Sequence, residues 1–581
     1  MSIAADPRER VQTDPLSPVL SQRYVLHLKH VLMCVGCGAF FLYLNYTPIF
    51  HSDIWGHVNY GKWILAHRGL PAEDPFTPLA GGVPVTDTAW LGQTLFALAE
   101  TWGGTEWVSN LFALTVLITY LVLMRALYLR SGSLPTAALG AALVWLVGIG
   151  RYAIVRPEIF GGLCFAVLLW LVARVQPAPA RRDESPADLP REQPWGLWIG
   201  VPLLFIAWAN LHGSFIVGIA VLGCLFLGRV IEVAWRERNA EALLADAWCR
   251  RWLLLTELAV VACVVNPYGI DLLINVATFS KNQNLKDILE WYPLKLVDLE
   301  GIQFSATVLL FLVLLRHSSR RFSPADMLML AVFAWAVAPA IRMIGWYAPV
   351  FVFVVAPHLA DLVRRVPEWP ALSTPPDTVL SAKAFRYTAL VVFAAWVSFA
   401  FSPTSRFLLG GSPRPTEHLY SSGTPLGISK YLREHPHPGQ MWNPQWWGDW
   451  LVFDGVAEPH VFMTTNAVHV APRQVWRDYM TIANLQTGWE RALDRYRVNT
   501  LVVDKKKQPA WDVQVRRLAG WVLAYEDDDG IVAIRSSPAA GPQPAASQPG
   551  EPKHDSQTAD PATAGETSPA STPEVDSAQP R

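Results

Sequence analysis

The feature that most constrains this chain is a series of apolar runs. There are about eleven, four of them near the roughly 20 residues that a helix needs to cross a bilayer and the shorter ones needing a few flanking residues to do so. Within a bilayer every backbone polar group must be satisfied internally, so runs of this kind commit the chain to a helical bundle. They are read at 27–48, 107–127, 134–149, 157–175, 195–208, 215–233, 252–265, 304–315, 325–339, 344–359 and 387–401. The polar segment before the first run is too long and too acidic for a signal sequence, and no small-residue cleavage site follows, so that run is read as a retained span. Only 16% of residues are charged, against about a quarter in a typical soluble protein. A net charge of −1 gives no reason to expect a nucleic-acid partner. The 6 Cys lie in or beside apolar runs, which argues against a disulfide framework. Cys34-Val35-Gly36-Cys37 has redox-motif spacing, but inside an apolar helix small residues serve packing.

The basic residues orient the bundle. Arg8, Arg10, Arg23 and Lys29 precede or open the first run, and Arg125 and Arg130 follow the second. Arg174, Arg181 and Arg182 follow the fourth, and Arg229, Arg236, Arg238, Arg250 and Arg251 surround the link between the sixth and seventh. The same enrichment returns at Arg316, Arg320 and Arg321 and at Arg364, Arg365, Lys383 and Arg386. Every second connection is basic, which is the positive-inside pattern with a cytoplasmic N-terminus. Parity then places the C-terminal part on the extracytoplasmic side. The expected organisation is a cytoplasmic tail (1–24), a polytopic α-helical membrane domain (25–402), a small extracytoplasmic α/β domain (403–537) and a disordered, Pro/Ala/Ser-rich tail (538–581). Within the α/β domain, helices are expected at 426–435, 489–496 and 511–518 and buried strands at 461–464 and 500–503. Segments 521–525 and 531–534 read as a hairpin turning at Asp527-Asp528-Asp529-Gly530.

The first outer loop, 50–107, carries the densest group of acids, histidines and tryptophans beside a span. A helix starting at Asp53 puts Asp53, His57, Tyr60 and Ile64 on one face. With Ser52 as its cap, it is expected to lie on the membrane surface with Trp55 and Trp63 at headgroup depth. The stretch 90–102 is expected as a second interfacial helix. Asp74 and Asp87 read as turn formers.

On the same side, short links hold charge at the membrane edge, where it is costly unless paired and is a functional candidate by default. They contain Arg151, Arg156 and Glu158, then Asn210 and His212, then Glu290 with Trp291, and finally Arg342. Carboxylates beside guanidiniums suit a reaction in which an acceptor hydroxyl loses a proton and a phosphate departs. Asp53 and Glu158 are the candidate catalytic acids; His57, Arg151, Arg156, Asn210, His212, Glu290 and Arg342 are candidate substrate contacts. His51, Asp53 and His57 could hold a divalent cation. Each has a structural reading beside the functional one: Asp53 as a helix cap, Arg156-Pro157-Glu158 as an ion pair opening a span, His212 as a satisfied helix-end histidine, Glu290-Trp291 as an interfacial anchor.

These residues and their layout resemble the GT-C superfamily of polytopic glycosyltransferases. That group includes protein O-mannosyltransferases, lipid A aminoarabinose transferases and the catalytic subunit of oligosaccharyltransferase. The resemblance covers roughly residues 25–535 and is carried by the acid after the first span, Asp53-Ile54-Trp55-Gly56-His57, Asp74-Pro75-Phe76-Thr77 and Trp90-Leu91. Trp446-Trp447-Gly448-Asp449-Trp450 looks like the tryptophan motif of the oligosaccharyltransferase subunit with its order changed, and also reads as the aromatic start of a core helix. Glu158 stands alone where that subunit has paired acids. The resemblance implies a polyprenyl-phosphate sugar donor, a membrane lipid, and an extracytoplasmic acceptor hydroxyl at a cell inner membrane. A lipid-linked sugar flippase and an inactive assembly subunit are the competing readings.

Overall fold

The structure is a computed structural model that describes residues 26–50, 53–176, 178–183, 195–365 and 382–536. The two expected tails, and His51 and Ser52, lie outside the described residues. The helices are α1 (Leu28–Tyr46), α2 (Asp53–His67), α3 (Trp90–Ser131), α4 (Leu134–Tyr152), α5 (Glu158–Ala173), α6 (Trp195–Leu211) and α7 (Phe215–Glu237). They continue with α8 (Ala240–Ala245), α9 (Ala247–Ala262), α10 (Ile270–Thr278), α11 (Leu299–His317), α12 (Pro324–Val337), α13 (Ile344–Val363) and α14 (Ala382–Ala400). Every apolar run of the sequence falls on one of them. Among the described residues 6 helices are long and apolar enough to cross a membrane, and shorter apolar helices accompany them. The chain is a multi-pass membrane protein.

Local chemistry sets the helix ends. Ser133, Asp246 and Ser323 cap α4, α9 and α12 by accepting from Thr136, Cys249 and Asp326 backbone N–H groups. α3 is broken at Gly103–Gly104, where Gly104 has φ 66° and ψ −161°, a conformation that only glycine adopts without strain. The break turns the first half of α3 against α2 and lets the second half run through the bundle. At the bundle's centre, α13 is buried at every position from Ile344 to Asp361, between α3, α4, α11 and α12. A helix so largely apolar suits a buried core or a membrane span, and here protein surrounds it. Far from the α/β domain, the mutually buried Arg130–Asp326 pair (3.0 Å) ties α3 to α12.

The C-terminal part is a four-stranded sheet of order β1-β2-β4-β3: β1 (Gln440–Trp442), β2 (Val498–Asp504), β3 (Trp521–Glu526) and β4 (Gly530–Arg535). β1 and β2 are parallel, and the other neighbours are antiparallel. The expected hairpin is β3–β4, with Asp527 Oδ1 accepting from the Asp529 and Gly530 N–H groups. The strand expected at 461–464 does not form. Asn443 replaces its ladder, accepting from Phe462 N (2.8 Å) and donating to Met463 O (2.9 Å). β1 and the amphipathic helix Arg473–Ala483 were not legible in advance.

This domain and the bundle share one compact unit. Ile49 N–H donates to Leu419 O and Ser421 N–H to Ile49 O, which ties the end of α1 to the entry of the domain. Arg414 grips Glu106 at 3.0 Å and donates to Asn45 O. The helix Gln445–Phe453 lies on α2 so closely that a Cβ on Gly56 would stand 2.5 Å from Asp449 Oδ1. The expectation of Trp55 at headgroup depth is therefore corrected. Trp55 is 2% exposed and wedged against Tyr420, Trp450 and Phe453, so its ring seals the domain onto α2 instead of meeting lipid. Trp63 is half-buried and stacks on His67. All six cysteines are free.

Trp55→Ala should destabilise the protein by about 3–5 kcal/mol, the usual cost of truncating a buried tryptophan. Thermal unfolding in detergent reads the loss; an unchanged midpoint would contradict the wedge.

Candidate functional site

The links predicted to carry charge converge at the end of the bundle that faces the α/β domain. Arg156, just before α5, is the hub. Its Nη1 lies 3.4 Å from Asp53 Oδ2 at the start of α2 and 3.2 Å from Glu290 Oε1 in the short turn Leu289–Trp291. Its Nε lies 3.0 Å from Glu158 Oε2. Arg151, at the end of α4, completes a second path: Nη2 to Glu158 Oε2 at 2.9 Å and Nη1 to Glu290 Oε1 at 2.5 Å. Four separate elements are thus held by two guanidiniums. Arg156 is almost wholly buried, which works against its charge, but Glu158, Glu290 and Asp53 outweigh burial and raise its pKa. Burial pushes Glu290 up, yet Arg156 and Arg151 hold it below its ordinary value.

Arg342 stands just before α13, within electrostatic reach of Glu158, Glu290, Arg151 and Arg156. It forms no salt bridge among the described residues. Its guanidinium lies over the Trp291 ring, 4.6 Å from the centroid, an arrangement that retains a cation and leaves N–H groups open to an anion. The cluster therefore holds three carboxylates and three guanidiniums, with one guanidinium uncommitted.

Three imidazoles border it. Burial lowers His57 to about 3, against the pull of Asp53. It lowers His212 to about 4, against Glu158, and His469 to about 4, assisted by Arg342. All three are neutral near pH 7. His212 lies at the end of α6 with Nδ1 bonded to Ser214, as a satisfied helix-end histidine would be. Asn210 is placed apart: it accepts from Trp90 Nε1 and donates to Ile206 O and Val265 O. Asp74 and Asp87 form turns, accepting from Phe76 and Ala89 N–H groups as expected. Burial raises both, Asp87 to about 6. Asp449, packed on α2, is raised well above the carboxylate range by burial, with Asp53 adding to it. The indoles of Trp446, Trp447 and Trp450 are bonded to Asp504, Gly423 and Ser429, so this motif forms a core helix.

Two cavities meet the cluster at Arg151. One, of about 70 Å³, is apolar and lies among α3, α4, α5 and α13, bounded by Tyr120, Leu123, Val144, Phe165 and Trp346, with Arg151 and Glu158 at one end. The other, of about 190 Å³, lies between Arg151, Glu290, Glu300 and Ile341. His469, Gln93 and the Trp291–Arg342 stack were missed in the sequence. Trp291 alone left a signal, as an aromatic beside an acid.

The carboxylates are engaged by guanidiniums and are not gathered about a common point. Among the described residues no three His, Cys, Asp or Glu are placed to hold a metal ion, and His51 lies outside them. The residues described here do not fit a divalent cation.

No family model matches the chain, and no curated protein matches it. Its fold is similar to that of solved archaeal oligosaccharyltransferase structures. One is AglB from Archaeoglobus fulgidus in complex with an inhibitory peptide and a dolichol-phosphate: TM-score 0.48, 12% identity, 83% of this chain and 69% of that one. Another is the A. fulgidus oligosaccharyltransferase tethered with an acceptor peptide containing the NVT sequon: TM-score 0.47, 13% identity, 88% and 74%. The apo form gives 0.46, 14%, 83% and 70%.

The neutral histidines make a pH prediction. The unfolded chain protonates its histidines below about pH 6.5, whereas the folded site refuses those protons until about 3 to 4. Their folded pKa values are depressed, so stability is full above about 6.5 and falls as pH drops toward 4, by about 1.4 kcal/mol per pH unit per histidine. Raised carboxyls such as Asp87 oppose this, so the difference between variants is the test. His469→Gln should flatten the decline between about pH 6.5 and 4; denaturation curves with the wild-type slope would contradict it.

Proposed function

We propose that the chain is a membrane glycosyltransferase that moves a sugar from a polyprenyl-phosphate donor to an extracytoplasmic acceptor hydroxyl. The observation that carries this reading is Arg342: a guanidinium without a salt bridge among the described residues, braced on Trp291, in a cluster whose other arginines are paired with carboxylates. In this reading the cluster, at helix ends, lies at the depth of a membrane lipid's phosphate. The alternation of arginines supports a cytoplasmic N-terminus and an extracytoplasmic domain and site at a cell inner membrane.

In this reading the acceptor oxygen attacks the anomeric carbon as the bond from that carbon to the phosphate oxygen breaks. Asp53 takes the acceptor's proton, and Arg342 and Arg156 stabilise the charge that develops on the leaving phosphate. Glu158 and Glu290 hold Arg156 and Arg151 in place and are available to sugar hydroxyls. The inactive-subunit alternative draws on the same pairing, since each acid of the cluster already has an arginine partner.

Asp53→Asn keeps the shape and removes the base. Sugar transfer from a labelled lipid donor in membranes should fall about 10²–10⁴-fold while donor binding persists. Arg342→Ala should weaken donor binding itself. Full transfer by Asp53→Asn would show that another group is the base, whereas no transfer by the wild-type chain would favour the inactive subunit. For orientation, a reporter active only in the cytoplasm, fused behind Ser536, should be silent; a bright signal would place the domain on the other side.

A further inference from the structure

The cluster's two histidines nearest the membrane bundle are set in a definite protonation state by their neighbours. His212 Nδ1 lies 3.2 Å from the Ser214 backbone N and 2.9 Å from Ser214 Oγ. A backbone N–H is always a donor, so Nδ1 is an acceptor. The Trp208 indole donates to Ser214 Oγ at 2.9 Å, which leaves the serine proton for the imidazole. His57 is set through Gln93. The Gln93 amide nitrogen lies 3.3 Å from His57 Nδ1 and 3.1 Å from Asp87 Oδ1. That same carboxylate oxygen accepts the Ala89 N–H at 2.9 Å, so Gln93 meets it with its NH₂ group. Its second N–H then goes to His57 Nδ1. A neutral imidazole whose Nδ1 accepts carries its proton on Nε2.

Both rings are half-buried, and neither Nε2 is among the sealed atoms that lack a partner. Neither Nε2 donates to any described residue. His57 is within electrostatic reach of Asp53, His212, Arg156 and His469, and His212 within reach of Glu158, Arg342, Arg156 and Arg151, so the two imidazoles border the same charged groups.

We propose that His57 and His212 are a pair of uncharged donors, each with its proton fixed on Nε2, that bind phosphate oxygens of the lipid donor. This rests on the reading of the chain as taking a phosphate-bearing lipid. Gln93, Asp87, Ser214 and Trp208 are positioning residues, since they act through the imidazoles. The pair adds hydrogen bonds to an anion without adding charge to a cluster whose carboxylates and guanidiniums already balance. In this tautomer neither Nε2 can serve as a base or a metal ligand without moving its proton against its partner, so both histidines bind and do not transfer protons.

The test uses the full chain in lipid nanodiscs with decaprenyl phosphate as the probe. His57→Phe and His212→Phe should each weaken binding by about tenfold, as the loss of one hydrogen bond to a charged group does. His57→Gln and His212→Gln present an N–H at a similar reach and should recover to within about threefold of wild type. Nitrogen NMR of histidine-labelled protein should show both side chains protonated at Nε2, and Gln93→Leu should mix the His57 tautomers. Wild-type protein that binds no decaprenyl phosphate would sink the lipid-phosphate reading and the ligand named here with it. Wild-type binding that the Phe variants leave intact, or that the Gln variants lose as fully, would overturn the donor pair alone. An Nδ1-protonated signal would overturn the tautomer lock.

Discussion

The site depends on one buried guanidinium. Arg156 reaches carboxylates from the start of α2, the start of α5 and the turn at Glu290. A charge in that position is tolerable only when acids offset it, because desolvation alone costs several kcal/mol. Arg156 is offset through Nη1, which donates to Asp53 and Glu290, and by Glu158 lying close to Nε. The same contacts that keep Arg156 charged also fix the distances between Asp53, Glu158 and Glu290. Arg151 closes the loop from α4. What remains outside this mutual neutralisation is Arg342, and its cation is braced by an aromatic face in place of an acid.

A second constraint comes from the α/β domain. It grips α2 through Trp55 and through the gap at Gly56, and so holds the helix that carries Asp53 and His57. Asn59 donates to Asp449 O from the same helix. His469 arrives at the cluster from this domain, and Asn282 and Asn284 bind the backbone around it from the segment that leads to Glu290 and Trp291. The site is thus assembled jointly, and loosening the domain from α2 would move both the acid and the imidazole.

Much of this was legible in the sequence because it is local or periodic. Apolar run length gave the helices, the arginine alternation grouped their ends, and charges in links too short to be domains marked Arg151, Arg156, Glu158 and Arg342 before any contact was known. The spacing after Asp53 gave α2 and its face. What failed was long-range. Trp55 carries the pattern of an interfacial tryptophan, and only Tyr420, Trp450 and Phe453, far later in the chain, make it a buried wedge. His469 sits in a turn with no motif, and its approach to Arg342 is set by tertiary docking. The strand expected at 461–464 had the right composition, but the Asn443 side chain satisfies that backbone first. Asn210 looked like its neighbours in the links, yet its amide is spent holding Trp90 and Val265.

In the proposed function the open guanidinium at the head of α13 receives a lipid phosphate. A cryo-electron microscopy map of the full chain with decaprenyl phosphate tests it most directly. Phosphate density is expected within hydrogen-bond reach of Arg342, with the Arg156–Asp53–Glu290 contacts retained beside it. Phosphate density at the arginine-rich ends on the opposite face, with none at Arg342, would contradict it.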